Sequence, residues 1–235
     1  RSLPDWETLP YDVLSPQEDI VSERLETLYR MTSGTKGLDV VIASAVTAAQ
    51  RMAPVAYVGA NTFFFRPGDT LSVEGLRSNL AAAGYAGVKQ VLAAGEFAVR
   101  GSIIDVFPMG SDRPFRLDLF DDEIESIRWF DVETQRSMEA VNEIRLLPGH
   151  EFPVTPEAVT GFRQRWRTRF AGDPGKSLVY RDIGNGVLPP GIEYYLPLFF
   201  EQTATLADYL SAGTRVVLVG DVQTALAGFM KETLS

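Results

Sequence analysis

The sequence predicts a mixed α/β and α+β multidomain chain, in which α/β segments at both ends flank a smaller α+β domain with an antiparallel sheet. Three observations carry this. The apolar runs LDVVIA at 38–43 and TRVVLV at 214–219 are each followed by a helix-like stretch. Short continuous runs of this kind suit buried strands of a layered α/β fold. Between them, Phe115–Phe120 alternates strictly, with Phe115, Leu117 and Leu119 on one side and Arg116, Asp118 and Phe120 on the other. The links around it, GSDRP at 110–114 and DDE at 121–123, are short and turn-rich, as in a meander.

Residues 15–31 predict the first helix, with Ser15 as cap, Pro16 in the first turn, Glu18 completing a capping box, and Val21, Leu25 and Leu28 at helical spacing. A buried strand over 38–43 and a helix over 44–52, stopped by Pro54, come next. Val55–Val58 reads as strand-like. The texture changes after Gly59. A small helix over 72–83 ends at Gly84, and Phe97–Pro108, Phe115–Phe120 and Ile124–Phe130 read as strands, with Ile144–Leu147 a fourth. A second change falls at 149–156, where Thr155 and Pro156 open a helix with Phe162, Trp166 and Phe170 on one stripe. A Pro-rich loop, a strand over 214–219 and a helix over 222–234 capped by Asp221 complete the chain. The expected parts are 1–61, a partial α/β domain; 62–148, an α+β domain; and 149–235, an α/β return segment.

Composition removes several function classes. The chain has no cysteine, which excludes a disulfide scaffold, a Cys-ligated zinc site and a thiol nucleophile, and fits a reducing compartment. Its single histidine, His150, excludes a multi-His metal site. The net charge of −9 makes the chain as a whole a poor non-specific nucleic-acid binder. There is no secretory h-region, no Arg-rich presequence and no apolar run near the ~20 residues that span a bilayer, so a soluble, cytoplasmic location away from membranes is expected. The chain opens without Met and stops inside a predicted helix, which reads as part of something longer.

Motifs for catalysis fail on spacing. GDPGKS at 172–177 ends like a phosphate loop, but Phe170 stands where the first glycine belongs, and TSGTKG at 32–37 fails the same test. GNGVLPPG at 184–191 places Pro189 at the last glycine of a dinucleotide turn. LDLFDDE at 117–123 resembles a Mg²⁺-holding strand end, yet without a phosphate loop its acids read as a solvated hairpin turn. His150, in a Gly/Pro-flanked linker, reads as a surface or linker residue. RQRWRTR at 163–169, the one basic cluster, reads as a solvated helix face with Trp166 in the core, the alternative being a nucleic-acid contact. No catalytic, cofactor or metal residues are assigned. The remaining candidate is a binding face: Phe120 lies on the charged side of its strand with Arg116, and Arg100 is in the preceding strand-like segment. Aromatic and Arg side chains dominate interface hot spots. The alternative is that a second layer, such as the helix over 72–83, covers Phe120.

Several long stretches resemble the transcription-repair coupling factor family. These are LPDWETLPYD at 3–12, SPQEDIVSERLETLYR at 15–30, GEFAVRGSIIDVFPMGSDRPFRLDLFDDEIESIRWFD at 95–131, LLPGHEFP at 146–153 and GIEYYLPLFF at 191–200. The middle stretch is also similar to the UvrA-binding domain of the excision-repair helicase UvrB. The resemblance implies an N-terminal UvrB-like module, with helicase-lobe-like parts (1A-like and 1B-like) flanking an α+β domain that docks on UvrA. It implies that Arg100, Arg116 and Phe120 make the UvrA contact, and that the module has no ATPase function or cofactor. It also implies further partners: a masking C-terminal domain of the same protein, and RNA polymerase and DNA bound through other domains. ATP and Mg²⁺ then belong to motor domains elsewhere in the parent protein. The rival is a nucleotide-dependent DNA helicase lobe of UvrB itself, but UvrB's Tyr-rich hairpin has no counterpart between Tyr29 and Thr62.

Overall fold

A computed structural model describes residues 1–8, 13–34 and 40–234. The Gly-Lys segment at 32–37 and the start of the strand expected over 38–43 therefore lie partly outside the described residues. The chain forms two compact units, one made of residues 1–59 with 155–235 and the other of residues 60–154.

The first unit opens with β1 (Ser2–Leu3), α1 (Glu18–Thr32), β2 (Ile42–Ala43), α2 (Ala45–Ala49) and α3 (Val55–Ala60). β1 and β2 pair in parallel. α1 buries Val21, Leu25 and Leu28, as its periodicity predicts. It also buries Arg24, whose guanidinium donates to the Pro4 carbonyl (2.7 Å) and lies 5.0 Å from the Trp6 ring centroid. Thr27 donates to the Ser2 carbonyl (2.7 Å), so two polar groups of α1 fasten the N-terminal strap.

Three expectations are corrected here. Gln17, not Ser15, occupies the N-cap of α1, because the Ser15 hydroxyl instead donates to Glu193 and accepts from the Gly191 N–H. Val40 and Ile42 are exposed rather than core residues of a buried strand. Val55–Val58 is helical: Pro54 presets the backbone at a helix start, and its carbonyl accepts from Tyr57 N–H (2.8 Å).

The second unit holds β3 (Phe63–Phe65), α4 (Val73–Ala82), β4 (Ala86–Gly87), β5 (Glu96–Arg100), β6 (Ile103–Val106), β7 (Phe115–Phe120), β8 (Glu123–Phe130), β9 (Ser137–Ala140) and β10 (Ile144–Leu146). Six strands form one sheet in the order β4-β5-β6-β7-β8-β9, antiparallel except for the β4–β5 pair. The expected single strand over 97–108 is two strands. Gly101, with φ +62°, makes the two-residue reversal that lets Arg100 pair with Ile103. β10 pairs with β3 rather than joining the large sheet. Ser72 caps α4 by accepting from Gly75 N–H (3.3 Å), and α4 packs on β4 and β5, burying Leu76 and Leu80. Tyr85 is buried between two loops; its hydroxyl donates to the Leu147 carbonyl (2.6 Å) and accepts from Met109 N–H (3.1 Å).

His150 lies in a linker bend, as expected, but is half-buried rather than on the surface. It stacks on Phe152 (centroids 5.2 Å apart, planes 7° apart) and presses against Gly84, where a Cβ would stand 2.6 Å from the ring. Gly84 is thus required twice, by its φ of +90° and by this contact. Burial pushes the His150 pKa down to about 4. A histidine lowered on folding stabilises the fold fully above its unfolded value near ~6.5, and that contribution is lost as pH falls toward the folded value. The 60–154 unit should therefore lose stability between about pH 6.5 and 4, and His150→Gln should flatten that part of the profile. Urea midpoints measured across this range check it.

The first unit resumes with α5 (Pro156–Arg169), α6 (Leu178–Gly184) and α7 (Val222–Leu234), separated by 3₁₀ turns. Thr155 caps α5, and Phe162 and Trp166 are buried. Asp221 caps α7 by accepting from Thr224 N–H (3.0 Å). The strand expected over 214–219 is absent: Val216, Val217, Leu218 and Val219 are exposed, and none of the described residues pairs with them. An apolar run becomes a buried strand only where a sheet takes up its backbone N–H and C=O groups. Among the described residues, no helix is long and apolar enough to cross a membrane.

Candidate protein-docking face

Strand register decides which side chains share a face of the six-stranded sheet. Ala98 pairs with Asp105, Asp105 with Arg116, and Arg116 with Arg128. One row along, Arg100 pairs with Ile103, Ile103 with Asp118, and Asp118 with Ser126. Paired residues point to the same side, so Arg100, Asp105, Arg116, Asp118 and Arg128 share one face, with Phe120 at the far end of β7. The opposite face carries Ile104, Leu117, Leu119 and Ile127, all buried. Arg116 and Phe120 are four residues apart on one strand, roughly 13 Å.

The three expected residues differ in exposure. Phe120 is 72% exposed, so no second layer of the described residues covers it. The Arg100 side chain is 49% exposed and the Arg116 side chain only 14%. Arg116 is therefore not the open guanidinium that alternation alone suggests. Its Nε and Nη2 donate to the two Asp105 oxygens (2.7 and 3.0 Å), and its Nη1 donates to the Gln135 carbonyl (3.2 Å) and Ser137 Oγ (3.1 Å). Its guanidinium also lies 4.9 Å from the Phe130 ring centroid. The Asp105 hydrogen bonds raise the Arg116 pKa above its ordinary value.

Two residues of this face escape sequence reasoning. Asp105 is 1% exposed and forms ion pairs with both Arg100 and Arg116. A carboxylate inside the apolar run IIDVF was the available signal, but only the register puts it between two arginines. Arg128 is exposed on the same face, and alternation within β8 could have found it.

The other candidates are occupied by structural tasks. Asp121 and Asp122 form the two-residue turn between β7 and β8, Asp121 at φ +52°, which Asp tolerates better than most residues. In GDPGKS, Pro174–Lys176 is a 3₁₀ turn whose Gly175 N–H already donates to the Asp173 carboxylate (2.9 Å). A phosphate cradle needs such amides free. Calorimetry with ATP and Mg²⁺ should give no saturable binding. On α5, Arg163 and Arg167 lie 4.7 and 5.7 Å from the Tyr180 ring centroid, and Arg165 donates to the Leu198 carbonyl (3.0 Å). With these guanidiniums held by the fold, duplex DNA should bind no tighter than micromolar at about 150 mM salt, as read by fluorescence anisotropy. No cluster of three or more metal-ligating side chains occurs among the described residues.

Comparison with known proteins places this face in context. Residues 63–152 match the model of the UvrB interaction domain. Over 235 residues the chain is 45% identical to the transcription-repair-coupling factor of Escherichia coli, covering 100% of this chain and 20% of that protein. It is 47% identical over 224 residues to that of Haemophilus influenzae, covering 94% and 19%. It is 27% identical over 226 residues to that of Bacillus subtilis, covering 90% and 19%. The chain thus spans about a fifth of the length of the curated relatives it matches.

Proposed function

Because the chain resembles the UvrB-like N-terminal module of the transcription-repair-coupling factors, with a UvrB interaction domain at residues 63–152, we propose that it docks on UvrA and so brings nucleotide excision repair to a stalled transcription complex. The observation that carries this is Phe120, a large aromatic 72% exposed on an Arg-bearing sheet face of the matched domain. The partner surface is then acidic with an apolar recess. It would take the guanidiniums of Arg100 and Arg128, with Phe120 as anchor. In this reading the chain recruits and does not catalyse. Motor activity with ATP and Mg²⁺, contact with RNA polymerase, and a domain that masks the docking face belong to other parts of a cytoplasmic parent protein. The test is co-elution of the 235-residue chain with purified UvrA on a sizing column. A stable complex is expected; its absence at micromolar concentrations overturns the reading.

A further inference from the structure

We propose that Asp105 is a positioning residue for partner binding: its buried carboxylate holds Arg100 and Arg116 in one fixed arrangement before the partner arrives. This rests on the docking reading above. Asp105 lies in the middle of β6, directly opposite Arg116 on β7 and one row from Arg100 on β5. It is 1% exposed, although the side of the sheet it faces carries Arg100, Arg128 and Phe120, which are open to solvent. Both of its oxygens are used. Oδ1 accepts from Arg116 Nε and Oδ2 from Arg116 Nη2, a two-pronged contact, while Oδ2 also takes Arg100 Nη2.

The two arginines then divide the work. Arg116 is tied at four points, two on Asp105 and two on Gln135 and Ser137, and serves as the frame. Arg100 is tied through Asp105 and keeps its side chain 49% exposed, so the rest of its fork is presented to solvent. A free arginine loses rotamer freedom when a partner orders it, and one already held by a buried carboxylate loses less. The Asp105 charge is thus spent on orientation. It also offsets the charge of Arg116, which stands directly opposite Arg128, so that the outward cations are Arg100 and Arg128.

The experiment measures UvrA binding by the unsubstituted chain, Asp105→Asn, Arg100→Ala and the double variant. Asp105→Asn keeps the side-chain volume and removes the charge. It should weaken binding about ten-fold, chiefly through faster dissociation. In the Arg100→Ala background the same substitution should cost clearly less, a coupling that general destabilisation does not produce. Unchanged or tighter binding by Asp105→Asn, or equal cost in both backgrounds, overturns the positioning role while leaving the docking reading in place. Absence of binding by the unsubstituted chain overturns both. Should Asp105→Asn fail to fold, arginine side-chain NMR on the unsubstituted chain decides. Slow guanidinium rotation at both Arg100 and Arg116 in the free protein is expected, and rapid averaging at Arg100 sinks the proposal.

Discussion

Phe120→Ala is expected to weaken binding to UvrA by about 30-fold while leaving the melting temperature within about 2–4 °C of the unsubstituted chain. The affinity figure follows from hot-spot behaviour: removing a central aromatic anchor costs about 2 kcal/mol or more, and each 1.4 kcal/mol is ten-fold. The stability figure follows from exposure. At 72% exposed, Phe120 contributes little to the core, and surface substitutions stay within about ±0.5 kcal/mol. Arg100→Ala should also weaken binding, with a stability loss smaller than that of Arg116→Ala, since Asp105 loses one partner and keeps both hydrogen bonds from Arg116. Arg116→Ala should cost more. Alternation alone predicts a silent effect on folding there, but removing Arg116 takes away two of the hydrogen bonds that Asp105 accepts in its buried position. A stability loss of roughly 1–3 kcal/mol then accompanies any loss of binding. Isothermal titration paired with thermal melts separates the two patterns. If Phe120→Ala melts the domain but spares binding, the ring is a core group and the docking face is misplaced.

The contrast between these arginines marks how far the sequence could be read. β7 is legible because a half-buried antiparallel strand alternates with period two, so Leu117 and Leu119 declare one side and Arg116 and Phe120 the other. The starts of α4 and α5 are legible because Ser72 and Thr155 cap them. Where a few residues carry the decision, local pattern fails. Val55–Val58 suits a strand or a helix equally, and Pro54 tips it to helix. Phe97–Pro108 hides a hairpin because a two-residue turn needs only Gly101 and one neighbour. Ser15 has the chemistry of a cap but is drawn to Gly191 and Glu193, more than 170 positions away. TRVVLV has the composition of a buried strand and lies exposed, since pattern specifies a preference and only a neighbouring strand can satisfy it. Asp105 belongs with these failures. Its role comes from cross-strand register between β5, β6 and β7, a relation that no single segment contains.

Leu117→Ala should destabilise the 60–154 unit by about 2–5 kcal/mol, the range for a fully buried leucine that leaves a cavity. Leu117 is 0% exposed and pairs with Ile104 on one side and Ile127 on the other, both also 0% exposed. These three residues form a continuous apolar row across the middle of the sheet. Directly opposed side chains in such a row have Cβ atoms about 4.5–5.5 Å apart, so truncating the central one removes contacts to both neighbours at once. The surrounding strands cannot collapse into the gap, because β6, β7 and β8 are held at fixed spacing by their ladders. For a domain of 60–100 residues each 1 kcal/mol moves the midpoint by about 4–8 °C, so a fall of ~10 °C or more is expected. Amide exchange should accelerate in β6, β7 and β8 together, since they share this row. Measured under conditions where the variant remains folded, UvrA affinity should stay near that of the unsubstituted chain, because Arg100, Arg116 and Phe120 project from the other face. A variant that kept its stability would place Leu117 outside the core. One that stayed folded and lost binding outright would show that the docking face depends on the apolar side of the sheet as well as on the residues it displays.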